Sequence, residues 1–230
     1  MDDPEPTITW SEEGVPFAPA FDDVYCSRSG VAQADLVFVE GSDLPARFAR
    51  GEDVTIVETG LGLGLSLLAA VRAGTRADGG GALRLAAIEL HPVPPARLRE
   101  IHERLGTLDD AAEALLQAYP ALLESGAARM STATGDVGLQ LVLGDGAAAL
   151  RALHVRADAV FLDGFAPAKN PALWNDEVYA ELARLARPDA TIASYTAAGA
   201  VRAGLERAGF DVERLPGFAR KRHRLAGRRR

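Results

Sequence analysis

Residues 53–65, DVTIVETGLGLGL, constrain the fold of this chain more than any other stretch. An apolar, β-branched run (53–58) ends in an acid, Glu58. Glycines follow at alternate positions, Gly60, Gly62 and Gly64, and then LGLSLLAAVR (63–72) has the composition of a helix. A strand that turns through glycines into a helix is a nucleotide-binding geometry. Glycine lets the backbone turn tightly and approach a ligand, and the first turn of a helix presents free N–H groups. The dinucleotide form of this turn needs a glycine at the sixth position of G-x-G-x-x-G, where this chain has Leu65.

Further along, strand-like and helix-like stretches alternate. Strands are expected at 83–89 (LRLAAIE), 157–162 (ADAVFL), 190–195 and 210–214. Helices are expected near 96–105, 109–124, 177–187 (stopped by Pro188) and 198–208. The stretches 129–134 and 137–143 flank Gly135-Asp136 and read as a hairpin, and Asp78-Gly79-Gly80-Gly81 reads as a loop. Alternation of this kind predicts an α/β fold, a doubly wound, mostly parallel sheet. Residues 1–50 are rich in proline and aspartate, with short extended-looking pieces (TITW, VPFAP, DLVFVE). They read as an N-terminal extension packed on a domain spanning 51–230.

Composition narrows the classes. The 230 residues are 48% hydrophobic and 25% charged, enough for one sizeable core. No apolar run nears the ~20 residues that span a bilayer, and MDDPEPTITW lacks the basic-then-apolar order of a signal peptide, so a cytoplasmic location is expected. One cysteine, Cys26, and four scattered histidines predict no metal site, and for Cys26 a buried apolar role is the simpler reading. The net charge is −7, yet residues 220–230 (RKRHRLAGRRR) hold seven of the 25 basic residues and no acid. Such asymmetry marks either a polyanion contact or a solvated basic tail.

Three acids stand at expected strand ends: Glu58, Glu89 and, in Gly144-Asp145-Gly146, Asp145. That edge of an open α/β sheet binds ligands. Glu89, about 25 residues past the glycines, is placed to accept ribose hydroxyls, and Asp145 to reach an adenine amino group. The E-x-G-x-G-x-G spacing resembles the form found in class I methyltransferases, which bind S-adenosylmethionine and have no pyrophosphate to cradle. By that likeness Glu58, Gly60, Gly62, Gly64, Glu89, Gly144, Asp145 and Asp163 are the expected cofactor-binding residues.

The strand 157–162 delivers Asp163-Gly164-Phe165-Ala166-Pro167-Ala168-Lys169-Asn170-Pro171, with Trp174 beyond. Methyl transfer to an amine needs a neutral nucleophile held in line. Asp163 can accept a hydrogen bond or a proton, the prolines stiffen the loop, and Phe165 or Trp174 can stack on a base. For Trp174, core packing is an equal reading.

DAVFLDGFAPAKNPALW closely resembles the methyltransferase domain of the MnmC and MnmD family of bacterial tRNA-modification proteins. The likeness extends through FDDVY (21–25), the glycine loop, Gly144-Asp145, TAAGAVRAGLERAGF (196–210) and GFARKRHRLAG (217–227), nearly the whole chain. It implies a Rossmann-like fold and N-methylation of 5-aminomethyl-2-thiouridine at the tRNA wobble position. It also implies that Asp163 is the catalytic carboxylate and that Phe165, Lys169 and Asn170 shape the substrate mouth. Asp22, Asp23 and Tyr25 would lie near that mouth, and Lys221 and Arg222 would meet the tRNA backbone. Departures are Cys26 where the family has phenylalanine, Leu61 and Leu63 for the commoner phenylalanine and threonine, and Tyr119-Pro120 for tryptophan–proline. No second nucleotide loop is seen, so the FAD-dependent oxidase step of the same pathway is expected on a separate protein. The alternatives are a class I methyltransferase for another amine or small molecule, a nucleotide-dependent oxidoreductase (disfavoured by Leu65), and a catalytically silent RNA-binding module.

Overall fold

The computed structural model describes residues 6–77, 80–133, 135–219 and 221–230. The first five residues, Asp78-Gly79 of the expected loop, Thr134 of the expected hairpin and Arg220 of the basic segment lie outside the described residues.

Three short strands, β1 (Thr9–Trp10), β2 (Pro16–Ala18) and β3 (Asp23–Val24), pair antiparallel as a small sheet. Helix α1 (Gly30–Ala34) runs on through a π-helical turn (Asp35–Val39) and a 3-10 turn (Glu40–Ser42) to α2 (Leu44–Ala49). DLVFVE is therefore helical, not extended. A short apolar run does not distinguish a buried helix from a strand. Here Val37, Phe38 and Val39 are all buried, with Phe38 against Phe161 at 5.0 Å between ring centroids.

The remainder builds one eight-stranded sheet. In chain order its elements are β4 (Val54–Glu58), α3 (Leu65–Thr75), β5 (Leu83–Glu89), α4 (Pro95–Leu105), α5 (Asp110–Ser125), β6 (Ala127–Thr132), β7 (Gly135–Leu143) and α6 (Gly146–Ala152). Then come β8 (Ala157–Phe161), a 3-10 turn (Pro171–Leu173), α7 (Asp176–Leu185), β9 (Ala186–Ser194), α8 (Gly199–Arg207), β10 (Phe210–Pro216) and β11 (His223–Arg229). The strand order is β10-β11-β9-β8-β4-β5-β7-β6, parallel from β9 to β7 and antiparallel at both ends.

Central strands of such a sheet are covered on both faces, so their side chains alternate between two cores. Val54 and Ile56 of β4 join one core with Leu67, Leu68 and Phe161, and Val57 joins the other with Val160, Leu182 and Phe210. Side-chain caps begin two helices: Asp109 accepts from Ala112 N at 3.0 Å and Asn175 from Val178 N at 3.0 Å. From β4 the chain winds outward to β5 and β7, then returns to lay β8 against the other side of β4. The junction of β4 and β8 is thus the switch point, where open α/β sheets form a crevice at the strand C-terminal ends.

Three further expectations need correction. The helix before Pro188 stops at Leu185, and Pro188 lies inside β9. Proline is tolerated there because Arg187, Pro188 and Asp189 are exposed beside a bulge in the β8 pairing. The hairpin reverses before Gly135, which already pairs with Thr132 as part of β7. The basic C-terminal segment is not a solvated tail: residues 223–229 form β11, inserted antiparallel between β10 and β9. Gly227 permits the insertion, since a Cβ there would lie 2.3 Å from Asp211 O. Arg229 Nη1 donates to Gly209 O at 2.8 Å and Arg230 Nη2 to Glu206 O at 2.8 Å, so these cations serve the fold.

Candidate active site

A cleft enclosing about 880 Å³, open mouth included, lies at the C-terminal ends of β4, β5, β7 and β8. Gly60, Gly62, Glu89, Gly144, Asp145, Asp163, Phe165, Asn170 and Tyr25 all contribute to its walls. Gly62 has φ +49° and would aim a Cβ at nothing closer than Tyr25 Cδ1, 3.9 Å away. Its missing side chain is space left for a ligand. The loop is fixed from behind: Gly62 N donates to Glu89 Oε2 at 2.9 Å, and His91 N to Glu89 Oε1 at 2.9 Å. Buried His102 holds Leu63 O through Nε2 at 3.0 Å and Thr107 Oγ1 through Nδ1 at 2.8 Å. A carbonyl only accepts, so Nε2 carries the proton, and burial keeps this ring from charging.

Two of the expected cofactor residues stand behind the wall. Gly64, at φ +71°, caps α3, and a Cβ there would come 2.6 Å from Leu115 Cδ2, so its smallness serves packing. Glu58 is fully buried. Ser66 Oγ donates to its Oε1, while Oε2 has no partner among the described residues. Burial pushes the Glu58 carboxyl well above the usual carboxylate range. Leu61 and Leu63, the departures from the family's loop, are buried in the core and also line the cleft.

Asp163 stands one strand away and is tied to the loop by a single hydroxyl. Thr59 Oγ1 donates to Asp163 O at 2.7 Å and accepts from Asp163 N at 3.0 Å. Gly164 N donates to Asp163 Oδ1 at 2.8 Å. Gly164, at φ +141°, leaves no room for a side chain, since a Cβ would meet Leu173 Cδ2 at 2.4 Å. Burial raises the Asp163 carboxyl to about 6, opposed by the Gly164 N–H and by the Lys221 charge. Its partly buried carboxylate therefore titrates close to the pH at which an acid–base group is most useful.

The mouth is aromatic. Phe165 stacks on Phe21 at 4.4 Å and meets Tyr25 edge-on at 5.1 Å. Trp174 is buried and donates its Nε1–H to Phe165 O at 2.8 Å, so it packs and supports the loop. The N-terminal segment braces the same loop: Asp23 Oδ2 accepts from Ala166 N at 2.8 Å, and Asp22, with φ +49°, pairs with Lys169. Tyr25 is pushed up to about 12, by burial first and by Glu89 second.

A second chamber opens on the other side of Asp163, lined by Asp23, Tyr25, Cys26, Gln33, Tyr195 and Lys221 among others. Lys221 Nζ lies 3.9 Å from the centroid of the Tyr195 ring, and Tyr195 OH donates to Gly164 O at 2.8 Å. Cys26 is half-buried, and its thiol is raised to about 11 by burial and by Asp163, which leaves it protonated at neutral pH. Arg222 is exposed. Thr59, Phe21 and Tyr195 were not anticipated. Thr59 and Tyr195 directly follow β4 and the Ser194 end of β9, so the strand-end rule that selected Glu89 would have found them.

The residues present fit S-adenosylmethionine: a glycine cradle lacking Cβ atoms where a ligand would lie, carboxylates at successive strand ends, and a cleft of ligand size. Fold and site together define a Rossmann-like class I methyltransferase. A family profile described as S-adenosyl-L-methionine-dependent methyltransferase matches residues 106–230. The chain belongs to this family.

Among its relatives, the tRNA 5-methylaminomethyl-2-thiouridine biosynthesis bifunctional protein MnmC of Ralstonia nicotianae is 48% identical over 213 residues. That match takes in 91% of this chain and 32% of the relative. The Pseudomonas aeruginosa protein of the same name is 44% identical over 225 residues, 96% of this chain and 34% of the relative. The chain thus spans about a third of the length of these relatives. The crystal structure of MNMC2 from Aquifex aeolicus shares the fold with a TM-score of 0.73 at 22% identity, over 98% of this chain and 71% of that one. Among the described residues no helix is long and apolar enough to cross a membrane, and no group of three or more His, Cys, Asp or Glu is placed to hold a metal.

Proposed function

We propose that this chain transfers a methyl group from S-adenosylmethionine to the primary amine of 5-aminomethyl-2-thiouridine at the tRNA wobble position, giving 5-methylaminomethyl-2-thiouridine. The observation that carries the reading is Asp163, a carboxylate raised to about 6 and set between the glycine-lined cleft and a second chamber. The names of relatives matched over more than nine-tenths of this chain give the product nucleoside, 5-methylaminomethyl-2-thiouridine in tRNA, which supports that acceptor.

In this reading the cleft formed by Gly60, Gly62, Glu89, Gly144 and Asp145 holds the cofactor, and Glu58 and Gly64 act from behind as supports. When bound, the cofactor supplies an electrophilic methyl on a sulfonium. Asp163 orients the amine and takes the proton it sheds. Phe165 stacks the pyrimidine, while Tyr25, Asp22, Asp23, Lys169 and Asn170 shape the mouth. Arg222, exposed near this edge, meets tRNA phosphate. Residues 1–50 form an extension that braces the Asp163 loop, and 51–230 form the catalytic domain. The chain works in the cytoplasm, where its tRNA is, and an FAD-dependent oxidase activity acts on the same pathway.

The test is mass spectrometry of wobble nucleosides from tRNA of cells lacking the protein, paired with methylation of that tRNA by the purified chain. Accumulated 5-aminomethyl-2-thiouridine, converted in vitro, is the expected result. Unchanged nucleosides with methyl transfer to another amine would overturn the assignment.

A further inference from the structure

Lys221 belongs to the basic segment that reads in sequence as a phosphate contact, yet its amine is engaged at the reaction centre. The residue is exposed as a whole, but its side chain lines the chamber that also contains Asp163, and Nζ sits on the Tyr195 ring. A cation over an aromatic face is held by the ring quadrupole at a fixed place. That ring is itself fixed, because Tyr195 OH is tied to Gly164 O, the carbonyl next to Asp163. Position and anchor together give the ammonium a defined site in the chamber that Asp163 also lines.

We propose that Lys221 is a positioning residue whose ammonium, docked on Tyr195, keeps Asp163 ionised so that Asp163 can receive the proton released by the acceptor amine. The proposal rests on the reading that Asp163 serves the amine. The reaction yields one proton for each N–C bond made. A carboxyl already protonated below its titration point cannot accept that proton, and its O–H can donate to the amine lone pair and so occupy the nucleophile.

The surrounding charges define the balance. Asp163 faces Lys221 from the loop before β11, Tyr195 and its hydroxyl beyond β9, Cys26 and Asp23 from the N-terminal segment, and Glu58 from β4. Glu58, itself driven towards its neutral form, adds little charge there. The thiol and the phenols are protonated at neutral pH. Lys221 is therefore the cation acting on Asp163 among the described residues around the chamber, and the charges of Asp163 and Asp23 both act on it in turn. Partial loss of water lowers the lysine, and both carboxylates work against that loss.

The test compares Lys221→Met, Lys221→Gln and Lys221→Arg in two measurements. Carbon-13 NMR titration of the Asp163 carboxyl, assigned by its loss in Asp163→Asn, needs no acceptor. It should show the titration moving up by about one pH unit in Met and Gln and returning in Arg. With tRNA as acceptor, the acid limb of kcat should move up by the same amount. Turnover at pH 6 then drops several-fold in Met and Gln and recovers towards wild type at pH 8.5. The tRNA KM and its salt dependence should hold. An unmoved carboxyl titration, with a raised KM and a flatter salt slope, would make Lys221 a phosphate contact and overturn the inference. Should wild-type protein fail to methylate this tRNA, the substrate assignment falls, whereas the NMR shift still decides the role of Lys221.

Discussion

The two cavities that meet at Asp163 are built from different materials. The cleft is floored by the backbone of Gly60, Gly62 and Gly144 and by carboxylates at strand ends, with Tyr25 and Phe165 at its mouth. The second chamber is made of side chains gathered from distant segments: Asp23 and Cys26 from the N-terminal part, Tyr195 after β9, and Lys221 before β11. One cavity suits a ligand common to a whole fold class. The other suits a particular acceptor, and its chemistry can vary without disturbing the first.

The largest expected effect breaks the symmetry between them at their shared wall. Asp163→Ala should lower turnover by at least about 10²-fold, as for loss of an acid–base group, while titration calorimetry shows S-adenosylmethionine binding within about twofold of wild type. Parallel loss of binding would place Asp163 wholly on the cofactor side. Next, Gly62→Val puts a branched side chain into the cleft at φ +49°. Strain of a few kcal/mol and a filled site should weaken cofactor affinity by about 30-fold or more, leaving acceptor binding intact. Phe165→Ala probes the mouth: loss of stacking should raise the acceptor KM about tenfold with cofactor affinity unchanged.

The smallest effect is on stability. The folded-state carboxyl of Asp163, at about 6, lies above its ordinary 3.8. The native state thus holds this proton more tightly than the unfolded chain, and stability is lost as pH rises from about 4 to 6. Asp163→Asn carries no such cost. Its Tm should exceed that of wild type by a few degrees at pH 8, with the difference gone by pH 4. An equal Tm at both values would mean that the carboxylate is well solvated.

The contrast between the cavities also explains which features could be read in the sequence. DVTIVE, LRLAAIE and ADAVFL display their strands because both faces are buried, and alternate glycines betray a backbone that must approach something. Hence the cleft, Glu89, Asp145 and Asp163 were legible. Strand β11 was not, because its buried Arg224 and the arginines at its C-terminal end mimic a basic tail, and only Leu225 and Ala226 carry an apolar signal. DLVFVE misled for the opposite reason, its apolar run being consistent with either structure. Glu58 and Gly64, expected to bind the cofactor, stand instead behind the wall, in a buried hydrogen bond and a tight helix contact. The chamber needed the fold itself, since nothing local links Asp23, Tyr195 and Lys221.

Thr59 carries a consequence of another kind. One hydroxyl clasps both the carbonyl and the amide of Asp163, so the glycine loop and the carboxylate share a single register across β4 and β8. Their spacing is inherited from strand pairing and owes nothing to the chamber. A lineage could therefore exchange every acceptor-facing side chain, one after another, and keep the reacting centre in alignment. In that sense the clasp makes this site modular: new substrates can be tried without rebuilding the chemistry.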